Sequence, residues 1–511
     1  MTDASVVISG AGPNGLLLAC ELALAGVRPV VLERAPGPSD EPKANGLVGQ
    51  VIRQLDMRGL YPAFSGAPTP PEPAAGWIFA GMTLDFTGLA SNPMHALMIS
   101  QPDVTRLLAH RAADLGVDVR WGHELLDMTP GTDGVTTRVA AGDREYRLDA
   151  DWLVGADGGR SPVRKAAGIG FPGSTTPMIA RIANVGLPDG VLGSDGSIDV
   201  PGFGRIPFGH NRFDDGGVIL FARQPGRTML GTIEFVDVVG HFADDLTIDE
   251  LRHSLRRVLG VDVPITAPDY PGPHVLRRIA GQNTRQAERY RAGRVLLVGD
   301  AAHVHSAMGG PGLNLGMQDV FNLGWKLAAV ADGRMPADLL DTYESERFPV
   351  GERVMMHSRA QLALMSPGPE VASLRTLFGE LLGESEVREH MAGLLAGADV
   401  RYDMGGADHP LTGYLVPDLA LDDGRRVLDL LHAGRPVLLD RTGDFGGPAT
   451  DVDVVRGRLR PNGLAGMLIR PDGYVAWAAD EMDDAARRGL EEASSRWCGR
   501  ELSSASPART P

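Results

Sequence analysis

Residues 6–33 carry the pattern that most restricts the fold. Val6-Val7-Ile8 is followed by Gly10-Ala11-Gly12-Pro13-Asn14-Gly15, an apolar stretch of helical spacing over 16–25, Gly26, and Val30-Val31-Leu32 ending at Glu33. Strand, glycine turn, helix and strand within about 30 residues is the start of a βαβ unit that binds a dinucleotide. Gly10 allows the tight turn, Gly12 lets the backbone approach a pyrophosphate, and Gly15 lets the helix lie close to the sheet. The helix start turns its partial positive charge to the phosphates. Glu33, 18 residues beyond Gly15, is placed to accept from ribose hydroxyls and disfavours a 2′-phosphate, which points to FAD or NAD. Pro13, Asn14 and Arg34 flank these groups as further candidate contacts. A purely structural glycine turn is the competing reading of the same residues.

The rest of the chain is organised around that unit. Residues 36–45 and 66–76 are rich in Pro, Gly and charge and read as loops. A helix is expected over 101–115, then strands over 117–121 and 151–155. From about 175 to 275 short alternating runs such as 217–223 and 228–236 predict antiparallel sheet. A buried strand over 295–298 and a long helix over 313–331 follow. Ser366-Pro367-Gly368-Pro369 breaks the next helix. Short strands such as 437–440 and 466–470 occupy the last hundred residues, and 503–511 read as a disordered tail.

Several function classes are excluded early. The net charge is −16, which argues against a general nucleic-acid or anionic-membrane surface. There is no run of 18 apolar residues, so no transmembrane helix is expected. Arg28 is the first positive side chain, which argues against a secretory leader. Cys20 and Cys498 are the only cysteines and stand in no metal or redox spacing, which fits a reducing cytoplasm.

Two more motifs complete the chemistry. One is Gly155-Ala-Asp157-Gly158-Gly159-Arg160-Ser161-Pro162-Val163-Arg164. The other is Gly299-Asp300-Ala301-Ala302-His303, continued by Pro311-Gly312-Leu313-Asn314-Leu315-Gly316 with Asp319, Asn322 and Lys326. In this order the trio resembles the single-component FAD-dependent aromatic hydroxylases of the p-hydroxybenzoate hydroxylase type. The likeness is strongest to actinobacterial polyketide-tailoring hydroxylases and covers roughly residues 4–400.

The resemblance implies an α/β chain in which a Rossmann-like FAD-binding domain (1–70, 99–174 and 276–400) interleaves with an antiparallel-sheet substrate domain (71–98 and 175–275). It also implies a thioredoxin-like C-terminal domain over 405–505, here without Cys-x-x-Cys and so without dithiol chemistry. Implied cofactor contacts are Asp300 to the ribityl chain, the helix start at Pro311, Gly312, Leu313 and Asn314 to the flavin pyrimidine edge through its free backbone N–H groups, Gln101 to the flavin side of FAD, and Lys43 near the pyrophosphate or the mobile flavin. Asp157 is implied to bridge the FAD and NADPH regions. Two departures stand out: Val48-Gly49-Gln50 replaces the family's His-x-Arg, and Thr105 stands where a glutamate is common.

The implied chemistry uses tightly but non-covalently held FAD, transient NADPH or NADH, and O₂. A flavin C4a-hydroperoxide then hydroxylates an aromatic polyketide or related phenol. No second GxGxxG is present for the nicotinamide nucleotide, and no side chain is assignable as a catalytic base. Trp77, Phe79, His95, Phe203, Phe208, His210 and Phe221 are the candidate lining of a pocket for a planar polycycle, with ordinary core packing as the competing reading. His303 and His305 flank the flavin loop without a partner cluster, so no metal is expected. An epoxidase or Baeyer–Villiger variant of the fold, an FAD-binding companion that only holds an intermediate, and a dimerisation role for the C-terminal domain in a homodimer remain as alternatives.

Overall fold

The computed structural model describes residues 2–499 apart from 42, 222–227, 241, 243, 271–273, 407–408, 444–451, 458 and 461–462. The expected tail over 503–511 and the end of the strand expected over 217–223 lie outside the described residues.

The strand Ala4–Ser9 is buried along nearly its whole length and lies inside a sheet. Its register is parallel to Val30–Glu33 on one side (Val7 opposite Val30) and to Arg144–Gly155 on the other (Val7 opposite Leu153). Asp118–Trp121 and Val295–Leu297 extend the sheet, again in parallel. Such strands are buried on both faces, which is why they read as continuous apolar runs. The first helix, Pro13–Leu24, packs against Gln101–Asp114 and against the long helix Pro311–Ala331. Both glycine-motif helices begin at a proline, two to three residues before their apolar periodicity starts, because proline suits a first helical turn that needs no N–H partner.

A second sheet is antiparallel. Its order is Gly209–Phe213, Gly216–Phe221, Thr228–Phe235, Gly173–Val185, Leu276–Gln286 and His303–Val304. One expectation changes here, since the 175–275 region is not sheet alone. Ile248–Leu259 is a helix, capped by Thr247, whose hydroxyl accepts from the Glu250 N–H at 3.1 Å. Its Leu251, Leu255, Val258 and Leu259 recur at helical spacing and are buried against the sheet. That 3–4 residue period outweighs the strand pattern around it.

The C-terminal module has a four-stranded sheet in the order Asp453–Arg456, Val437–Asp440, Gly466–Ile469, Val475–Ala479. The first pair is parallel and the others antiparallel, and the helix Asp484–Cys498 packs on it. This is the strand order and direction of a thioredoxin-like core. Among the described residues no helix is long and apolar enough to cross a membrane, and neither cysteine is in a disulfide.

Buried charge joins this module to the rest. Arg470 donates to both oxygens of Glu346, at 2.7 and 2.9 Å, and to Asp472. Lys326 donates to Glu346 at 2.8 Å and to Asn322 at 2.9 Å. Arg58 pairs with Glu21 and reaches the carbonyls of Leu431 and Pro471. Arg426 pairs with Asp56 at 2.6 Å. Burial alone would raise the Glu346 carboxyl, but the charges of Arg470 and Lys326 prevail and hold it at about 2. A carboxylate with a depressed folded pKa stabilises the fold above its unfolded value and loses that contribution as pH falls through the folded one. Its window therefore runs from 4.5 down to about 2, with about 3 kcal/mol at stake. In chemical unfolding, Glu346→Gln is expected to flatten the dependence of stability on pH within that window. Equal slopes in both proteins would refute the assignment.

Candidate cofactor and substrate cleft

The three sequence motifs meet at the carboxyl ends of the parallel strands, where ligands of open α/β sheets bind. Gly10 lies at φ +106°, and a Cβ there would stand 2.5 Å from the Ala156 carbonyl oxygen. The Ala156 N–H donates to the Ser9 carbonyl at 2.8 Å, so the first and second motifs are directly joined. Arg164 joins the second to the third, donating to the Ala301 carbonyl at 2.9 Å. Asn14 joins the first to the third. Its side chain lies over Gly299 and Gly316, where an added Cβ would come within 2.0 and 2.3 Å of Nδ2. Gly299 itself holds φ +60°, and a Cβ at Gly316 would also stand 2.9 Å from the Gly299 Cα.

Two helices open onto this junction without a side-chain cap. Pro13–Leu24 follows Gly12, and Pro311–Ala331 follows Gly310. Their first N–H groups therefore remain available to a ligand. A Cβ at Gly12 would meet no protein atom within 4 Å, so this backbone faces open space. Asn14 Oδ1 and Asp157 Oδ1 are buried polar atoms without a protein partner. Uncapped helix starts, an open backbone cradle and orphaned acceptors together fit a dinucleotide with phosphates and a polar edge.

The acids of the site differ in setting. Glu33 accepts from the N–H groups of Ala11 at 2.8 Å and Ala35 at 2.9 Å, one on each oxygen. It thereby braces the glycine turn, and each oxygen keeps a second lone pair for a ribose hydroxyl. Asp157 Oδ2 accepts from the Val163 N–H at 3.0 Å. Burial raises its carboxyl against the opposing hydrogen bonds of Ser161 and Val163. Asp300 sits on the one-turn helix Gly299–Ala301, open to solvent yet deep in the cleft. The surrounding protein raises its carboxyl, opposed by the charges of His303 and Lys43. Lys43 itself is half-exposed and pairs with Glu41 at 3.1 Å. Arg34 is exposed.

Gln101 is the first residue of its helix, with Ser100 as the cap, and its N–H donates to the Ala44 carbonyl at 2.9 Å. Thr105 donates to the Gln101 carbonyl at 2.8 Å, a structural account for that residue. The Asn314 side chain is committed within the protein, with Oδ1 accepting from the Val48 N–H at 2.9 Å and Nδ2 donating to the Gly310 carbonyl at 2.6 Å. Only the backbone at Pro311, Gly312, Leu313 and Asn314 is left for a cofactor. Gln50, where the family arginine is absent, is buried and accepts from Arg53 at 3.1 Å.

The second sheet reaches the same place. Its edge strand His303–Val304 is the direct continuation of the Gly299–Ala301 turn, with Gln286 opposite His303. Of the seven aromatic and histidine positions, three come together. Phe221 meets Phe208 edge-on at 5.2 Å and His210 at 5.6 Å. Trp77 and Phe79 belong to the core under the helix Pro369–Leu381, which Phe221 also packs against, with Phe79 against Phe378 at 5.8 Å. Phe203 pairs with Phe213 at 5.3 Å in a separate patch. His95 bridges to Pro73. Burial pulls His210 down to about 4 and His305 likewise to about 4. His305 Nδ1 faces the Ser306 carbonyl at 3.0 Å. Among the described residues no group of three or more metal-ligating side chains forms.

Arg347 and Gln361 were not legible as parts of this region, and Asp319, which stands in the third motif, had no partner assigned to it. Asp319 is fully buried between His303 Nε2 at 2.6 Å and Arg347 Nε at 2.8 Å, and it accepts from the Gly299 N–H at 3.3 Å. Gln361 accepts from the Ala80 N–H at 3.3 Å, where Ala80 holds φ +50°. Arg347 and Gln361 lie on Asp341–Met365, a helix with no motif in its sequence.

The family described as FAD binding domain matches residues 3–358, and that described as aromatic-ring hydroxylase, C-terminal, matches 409–501. A relative from Streptomyces rimosus named 12-dehydrotetracycline 5-monooxygenase/anhydrotetracycline 6-monooxygenase is 40% identical, over 97% of this chain and 98% of its own. A rifampicin monooxygenase from Streptomyces venezuelae is 36% identical, over 94% of this chain and 97% of its own. Among solved structures, the anhydrotetracycline hydroxylase OxyS from Streptomyces rimosus is similar at a TM-score of 0.85 and 38% identity, covering 98% of this chain and 99% of its own.

Proposed function

From the premise that this chain belongs to the FAD-dependent aromatic-ring hydroxylases and is an FAD-dependent monooxygenase, we propose that it hydroxylates a polycyclic aromatic polyketide or related phenol, using O₂ and NADPH or NADH, in a reducing cytoplasm. The observation that carries this reading is the hydrogen-bonded continuity between the cofactor turn and the antiparallel sheet through Gln286 and His303. A substrate lying on that sheet is held next to the flavin. The substrates named for the two relatives are of the proposed class.

Bound FAD supplies the activation of O₂ and the transfer of one oxygen atom. The chain's own residues bind and orient. The backbone from Gly10 to Gly15 and the start of Pro13–Leu24 hold the pyrophosphate, with Glu33 on the ribose. Asp300 would accept from the ribityl chain. The free N–H groups at the start of Pro311–Ala331 would hold the pyrimidine edge, where the positive end of the helix would favour negative charge on the ring. Phe208, Phe221 and His210 offer aromatic ring faces and edges to an aromatic skeleton. His210 and His305 are neutral near pH 7 and add no cation to compete with that helix end.

The test is aerobic NADPH consumption by the purified holoenzyme with a panel of polycyclic phenols, products being read by mass spectrometry. A phenol is expected to accelerate consumption and to gain one oxygen atom. NADH is run in parallel. A flavin-loaded enzyme whose NADPH and NADH oxidation no polycyclic phenol accelerates would overturn the substrate class.

A further inference from the structure

The structure shows what grips the cofactor turn from behind. Asp319 accepts from the Gly299 N–H and pairs with His303, the residues on either side of Asp300-Ala301-Ala302. Its other oxygen is held by Arg347 at 2.8 Å. Arg347 also donates to the Leu315 carbonyl at 3.2 Å, in the opening turns of the flavin-loop helix, and to the Tyr402 hydroxyl at 3.1 Å. One guanidinium thus restrains both backbone elements that face the flavin. Tyr402 leads into the C-terminal module. Its N–H donates to the Gly413 carbonyl at 2.9 Å, and its ring stacks on Tyr474 at 4.2 Å. His303, Asp319 and Arg347 are all 1% exposed or less, and Tyr402 is 5% exposed, so water cannot readily replace a lost partner.

We propose that Arg347 and Tyr402 are positioning residues for FAD, through which the C-terminal module sets the geometry of the Gly299–Ala301 turn. This rests on the reading that FAD lies in the cleft. The module has no dithiol and contributes no group to the cleft motifs, and the Tyr402–Arg347–Asp319 chain gives it a task there. A fully buried guanidinium keeps its orientation only while each donor is paired, and Tyr402 supplies the partner from outside the FAD-binding residues.

The test compares two full-length holoenzyme variants for FAD release on dilution, read as the rise of free-flavin fluorescence, with thermal midpoints in parallel. Tyr402→Phe removes one hydroxyl and retains the ring stack. Arg426→Met removes a docking pair with Asp56 that has no link to the turn. Tyr402→Phe is expected to release FAD about five- to tenfold faster than wild type and to shift the flavin absorption bands. Arg426→Met is expected to lower the thermal midpoint with release within twofold of wild type. Unchanged release in Tyr402→Phe, or equally fast release in Arg426→Met, would overturn the proposal. A wild-type protein that carries no FAD would overturn the cofactor reading, and this inference with it.

Discussion

Arg470→Met is expected to destabilise the protein by about 3–5 kcal/mol, the usual cost of leaving a buried charge without its partner. The side chain is 1% exposed and lies between Glu346 and Asp472. It also stands over the ring of Trp497 at 4.6 Å, which methionine preserves as apolar contact only. In the variant Lys326 is left as the one cation in contact with Glu346. Thermal and chemical unfolding of the full chain measure the loss. Adding Glu346→Gln and Asp472→Asn is expected to recover a large part of it, because the unpaired charges leave together. A loss under about 1 kcal/mol for the single variant would show that the carboxylates are not held by this arginine.

The second large effect separates folding from cofactor binding. A Cβ on Gly12 meets no protein atom within 4 Å, so Gly12→Ala is expected to fold with a thermal midpoint near that of the FAD-free wild type. Its methyl stands where the backbone must approach the pyrophosphate, so FAD affinity is expected to fall about 100-fold, close to 3 kcal/mol. Gly15→Ala is the contrast. Its Cβ would lie 1.9 Å from the Gly10 carbonyl oxygen, so the turn itself must move and stability should fall along with FAD. Titration of the apoproteins with FAD, beside their melting curves, checks both. Wild-type affinity in Gly12→Ala would remove the pyrophosphate from this turn.

These contrasts show how far reading the residues alone reaches. Gly10, Gly12 and Gly15 are legible because their constraint is local: a turn, an approach and a close helix start within six residues. Gly299 and Gly316 are crowded as well, but that crowding comes from the fold: Asn14 Nδ2 lies over both, nearly three hundred residues away, and the Gly299 backbone stands beside Gly316. No local pattern reveals it. Asp319, Asn322 and Lys326 stand in a recognisable motif, yet their partners Arg347 and Glu346, and Arg470 that holds Glu346 in turn, lie in segments without one. Their role as a buried network emerges only in three dimensions. The aromatic candidates divided for a related reason. Alternation places Phe208, His210 and Phe221 on strands or at their ends but does not say which sheet face meets the cleft. Trp77 and Phe79 pack into a core that Phe221 also touches, whereas Phe203 pairs with Phe213 elsewhere. The helix Ile248–Leu259 was hidden by strand-like neighbours, although its own leucine spacing is helical.

The order of strands in the first sheet has a consequence for how the chain is made. Ala4–Ser9 finds one neighbour early, at Val30–Glu33, but its other neighbour arrives only with Arg144–Gly155, and that strand waits in turn for Val295–Leu297. At the usual pace of translation, roughly 5–20 residues per second, about 15–60 s separate the emergence of the first strand from that of the last. Throughout that interval a buried strand has an open edge, first Ala4–Ser9 and then Arg144–Gly155, the kind of edge that pairs with other chains. The newborn polypeptide is thus most exposed to aggregation before its Asp300 turn exists, and slower synthesis lengthens that exposure, whatever the stability of the finished enzyme.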